Sequence, residues 1–108
     1  MTESEKQEIK AKLIELGFWG ADEAGDPTVG QRDGLTLYNR VAERLSKGSA
    51  LYSSGLTAIS RSRKIEVKRG ESSYRLADGH NFPESICRTA LALPEFLRRH
   101  PECAADQK

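Results

Sequence analysis

Several features are scarce in this chain, and each scarcity excludes something. There are only two cysteines and two histidines. Cys87 and Cys103 form no CxxC pair, and His80 and His100 stand apart, so neither a disulfide framework nor a clustered metal site is predicted. Asp22, Glu23, Asp26 and Asp33 crowd one stretch, but not at calcium-loop spacing. No phosphate-loop pattern GxxxxGK[ST] is present. No metal and no cofactor is therefore expected. An excess of one charge is missing too: the formal net charge is +1, so attraction to nucleic acid must come from a local patch. No apolar run approaches the roughly 20 residues that span a bilayer, so no membrane partner is expected. The opening MTESEKQEIK is charged, not apolar, which argues against a secretory leader. Unpaired cysteines fit a reducing, cytoplasmic setting.

What is present describes one globular core. Apolar residues make up 37% of 108 positions, charged residues 31% and aromatics only 6%. A single domain over residues 1–100 is expected, followed by a polar, disordered tail over 101–108. The most apolar stretch runs from Asn81 to Leu97. Asn81 is a good N-cap, Glu84 follows at capping-box spacing, and Pro83 falls in the first turn. Phe82, Ile86, Ala90, Leu93 and Leu97 then keep helical period. Pro94 predicts that this helix stops or kinks near Leu93, or that a short final turn begins there.

The rest is layered around that helix. Thr2 to Leu16 reads as a helix, with Thr2 and Glu5 at capping-box spacing and Gly17 closing it. Phe18 to Arg32 reads as a long Gly-rich loop. Phe18 and Trp19 either close one end of the core or offer a stacking surface. A second helix is predicted from Asp33 to Lys47. Lys64 to Lys68 alternates strictly, with Ile65 and Val67 on one face. Leu56 to Ser60 before it and Ser73 to Ala77 after it complete a three-stranded antiparallel meander. Leu51 and Tyr52 extend its first strand or cover its edge. The expected fold is α+β, order α-α-β-β-β-α. Two open sheet edges and the narrow apolar stripe of the first helix suggest a homo-oligomer.

One local concentration of charge stands out. Arg61, Arg63, Lys64, Lys68 and Arg69 fall within nine positions, opposed only by Glu66, with Arg75 on the next strand. Arginine forks suit phosphate oxygens, and solvated turns carry the same residues without function. The candidate binding residues are thus Arg61, Arg63, Lys64, Arg69 and Arg75, with Phe18 and Trp19. Aromatics do not interleave with the patch in sequence, which weakens a nucleic-acid reading. Asp78 to Asn81 is the one loop that can be imagined as a small catalytic centre, and it lacks a positioned nucleophile. A non-enzymatic protein is the expectation.

The element order resembles that of small bacteriophage proteins described as an alpha-beta-alpha (ABA) sandwich domain. The resemblance is carried by Asp33 to Leu45, DGLTLYNRVAERL, and Ala77 to Leu91, ADGHNFPESICRTAL. It covers most of residues 13–93 and departs at the meander, where Lys64 and Ile65 stand in place of an aromatic. It implies a phage accessory protein that binds and inhibits a host defence component, either a protein or a small phosphorylated signal. A nucleic-acid-contacting module is the alternative.

Overall fold

The computed structural model describes residues 2–53 and 64–105. Leu56 to Ser60, read from sequence as the first strand, lies outside them, as do Arg61 and Arg63. The described chain is α+β in the order α-α-β-β-β-α: α1 (Glu3–Glu15), α2 (Gln31–Ala42), β1 (Ser49–Ser53), β2 (Lys64–Arg69), β3 (Ser72–Asp78) and α3 (Phe82–Arg99). A 3-10 turn, Pro101–Cys103, follows.

Local signals explain the helix starts. The Thr2 side chain accepts the N–H of Glu5, and the Asn81 side chain accepts that of Glu84 at 3.0 Å. Glu84 reaches back to the N–H of His80, so the capping box closes one residue further out than the usual pattern. α2 starts earlier than read. Gly30 is its N-cap, and the Asp33 carboxylate instead accepts the N–H of Asp26 at 2.9 Å. It also stops earlier, at Ala42, because the following backbone pairs with the chain end. Ser46 N–H donates to the Cys103 carbonyl at 2.7 Å, and Ala105 N–H to that of Arg44 at 3.0 Å.

Those bonds correct the expectation of a frayed segment after Pro101. Residues 101–105 are docked, and Cys103 is fully buried. α3 likewise runs on through Pro94. Proline removes one rung of the helical ladder, but packing of the last turns offsets it. Phe96 lies 5.5 Å from the Tyr74 ring and 4.8 Å from that of His100.

The sheet is an antiparallel meander, order β1-β2-β3. Ser53↔Ile65, Leu51↔Val67 and Val67↔Tyr74 pair on the inner face. Gly70, at φ +59°, takes the first central position of the two-residue β2–β3 turn, as a type II′ hairpin requires. A bulge leaves Leu76 unpaired between Arg75 and Ala77. The helices cover the inner face. Ile65 and Val67 pack with Phe82, Ile86, Ala90 and Leu93 of α3, and Leu37 and Val41 of α2 join them. Ile9 and Leu13 bring in α1. No described helix is long and apolar enough to cross a membrane.

Candidate functional site

Among the described residues the helices pack on one face of the sheet only, and strand pairing decides what stands on the other. Residues directly opposite in an antiparallel pair share a face. Two rows follow from the register: Tyr52, Glu66 and Arg75, and beside it Ala50, Lys68 and Ser73. Lys64 and Asp78 make a third row at the far end. Tyr52, Lys64, Lys68 and Arg75 are all exposed. The Lys68 ammonium sits 3.9 Å from the centre of the Tyr52 ring, a cation–π contact between strands sixteen residues apart in sequence. Ser73 donates its hydroxyl to Glu66, and Arg75 pairs with Asp78 at 3.4 Å.

This face keeps some of the expected residues and rejects others. Lys64 and Arg75 are on it. Arg69 is not: its guanidinium turns to the chain before β1. It donates to the hydroxyls of Ser46 and Ser49 at 3.2 and 3.3 Å, and to the Lys47 carbonyl at 3.4 Å. The odd-numbered residues of β2 face inward, so Arg69 at the strand end is drawn to the nearest acceptors.

Phe18 and Trp19 are corrected as binding residues. They are 1% and 3% exposed, so neither ring presents a face to a partner. Two arginines of the second-helix region hold them. Arg44 stacks 3.8 Å from the Phe18 ring and donates to the Leu16 carbonyl; Arg40 lies 4.9 Å from the Trp19 ring and donates to the Phe18 carbonyl. Arg40 also grips Glu23 with two bonds of 2.7 and 2.6 Å, which hold that carboxyl down at about 2. The long loop therefore packs its own side chains. Pro27 and Thr28 are buried, and the Pro27 carbonyl accepts from the Cys87 thiol at 3.3 Å.

In the Asp78–Asn81 loop the Asn81 side chain and the His80 N–H serve the cap of α3. Glu84 has a side chain only 4% exposed. Burial pushes its carboxyl up, but the His80 N–H and the Arg88 guanidinium outweigh this and keep it below the usual carboxylate value. The Ser85 hydroxyl donates to the Asn81 carbonyl at 2.8 Å. Asp78 faces Arg75, not His80. Among the described residues no group of histidine, cysteine and acidic side chains is placed to hold a metal ion.

No family model, no curated protein and no solved structure matches this chain. The open face is thus defined by its own geometry. Tyr52 and Lys68 are the residues that sequence reasoning left out of the site. Alternation along Lys64 to Lys68 already puts Lys68 beside Lys64, so it was within reach. Tyr52 was not, because its place depends on the pairing of β1 with β2.

Proposed function

We propose that this protein acts by binding, not by chemistry, and that its contact surface is the open face of the sheet. The carrying observation is the display of Lys64, Lys68 and Arg75 around Tyr52 on a face that no described helix covers. An acidic or phosphate-bearing partner complements that set. The use of the His80 N–H, Glu84 and Ser85 in the cap of α3, and the pairing of Asp78 with Arg75, favour binding over catalysis at that loop. The biological setting is supported by the resemblance of Asp33 to Leu45 and Ala77 to Leu91 to phage accessory proteins. In that setting the partner is an acidic or phosphate-bearing component through which a host defence is inhibited.

The test is co-purification from a bacterial lysate with mass spectrometry of retained material. Wild-type protein should retain a partner that the Lys64→Glu/Lys68→Glu variant loses. Both side chains are exposed strand positions, so the variant should stay folded, with only a small fall in melting temperature from the carboxylate opposite Asp78 and the lost Lys68–Tyr52 contact. Equal retention by the two proteins would remove the open face from consideration.

A further inference from the structure

We infer that the partner of the open face is single-stranded nucleic acid, with a base stacked on Tyr52 and phosphates held by Lys64, Lys68 and Arg75. This inference rests on the binding role of that face and names its ligand class.

Tyr52 is the starting point. Every other aromatic ring is buried or packed against the core, in a chain with few aromatics to place. Tyr52 is 37% exposed on the outer face, and it is the one aromatic among the exposed large apolar residues. An exposed ring beside cations is what a sequence-tolerant stacking platform requires, since each base has a flat face.

The register then places the cations on both sides of the ring. Tyr52 stands opposite Glu66, and Lys64 and Lys68 lie two residues to either side of Glu66. Four residues of strand separate the two lysines by about 13 Å. A single nucleotide carries its phosphates on one side of the base. Cations bracketing the ring instead fit a chain that passes over it, with one phosphate before the stacked base and one after. Arg75 lies one strand further out in the same row as Tyr52 and extends the positive track across β3. The Lys68 ammonium now covers the ring at 3.9 Å. Such a contact is weak in water, so a phosphate can draw the ammonium aside and leave the ring to a base. Glu66 lies at the level of that base. Its carboxylate suits the exocyclic amino group of cytosine or adenine and not the carbonyl edge of thymine or uracil.

Fluorescence anisotropy with labelled twelve-nucleotide DNA and RNA homopolymers tests this on the full chain. Wild-type protein should bind at low salt, with cytosine or adenine strands ahead of thymine or uracil strands. Binding to either DNA or RNA supports the inference, and the tighter of the two shows whether the 2′-hydroxyl is read. Tyr52→Ala should weaken binding roughly 5- to 100-fold, and Tyr52→Phe should retain it. Lys68→Gln should reduce the slope of log affinity against log salt by about 0.7. Failure of every strand to bind at low salt overturns the inference. So does binding that survives Tyr52→Ala unchanged. If no strand binds but Lys64→Glu/Lys68→Glu still loses its partner from lysate, the ligand class is wrong and the binding face stands. An acidic protein surface is then the occupant.

Discussion

Gly79→Ala is the sharpest test of how this fold is held at its centre. Gly79 joins β3 to α3, and its backbone runs close against the helix start. A Cβ there would lie 2.7 Å from the Ser85 amide nitrogen and 2.9 Å from both Glu84 Oε2 and Ser85 Oγ. The nearest atom is helix backbone, which cannot rotate away as a side chain can. The loop must therefore back off, and the His80 N–H must leave the Glu84 carboxylate. Loss of the N-cap arrangement costs about 1 kcal/mol. Leaving a buried carboxylate short of a partner costs about 1–3 kcal/mol more. The sum, roughly 2–4 kcal/mol, is a large share of the ~5–15 kcal/mol available to a small domain. Urea unfolding followed by the fluorescence of buried Trp19 would measure it, and thermal unfolding should show a drop in melting temperature of roughly 10–25 °C. Gly70→Ala is the control. It meets nothing within 4 Å but must hold φ +59° in the hairpin turn, a backbone strain of about 1–3 kcal/mol. Asn81→Ala should cost about 1 kcal/mol and should not add fully to Gly79→Ala, because both break one cap. A Gly79→Ala protein within about 0.5 kcal/mol of wild type would refute the close approach, because surface changes alone stay within that range.

Two further predictions concern titration and thiols. Glu23 and Glu84 both have folded values below the usual 4.5. Their stabilisation is present above the unfolded value and lost as pH falls, so the urea midpoint should decline from about pH 4.5 downward. For Glu23 the decline extends to about 2, and Glu23→Gln should flatten it at low salt. A wild-type midpoint unchanged across this window would contradict the Arg40–Glu23 and Glu84 pairings. Both cysteines are fully buried, and burial pushes the Cys87 thiol up to about 12. Alkylation in native buffer should be slow at both. Cys103, in the short final turn, should react first by local opening. Alkylation of Cys103 as fast as that of an exposed thiol would show that residues 101–105 do not dock.

Contacts between near neighbours are the part of this fold that a linear reading reaches. The N-caps at Thr2 and Asn81, the Gly17 stop, the alternation of Lys64 to Lys68 and the Gly70 turn each involve groups a few positions apart. Their physics is the satisfaction of local N–H and carbonyl groups. From them follow the helices, the β2–β3 hairpin and the inward face of α3 around Ile86 and Cys87, while the first strand reads as Leu56 to Ser60 and β1 lies at Ser49–Ser53. Tertiary structure decided everything that depends on distant partners. SALYS is a short segment with a weak pattern, and it became β1 through its ladder with β2. α3 continued past Pro94 because Phe96 found Tyr74 and His100. α2 stopped at Ala42 because residues near Cys103 took up the next backbone groups. Basic residues contiguous in sequence were divided, with Arg69 drawn inward to Ser46 and Ser49 while Lys68 turned out. The same pairing set Lys68 over Tyr52, an aromatic–cation neighbourhood invisible in a linear reading. A strand shows its neighbours only once register is fixed, and register is chosen by burial of the opposite face.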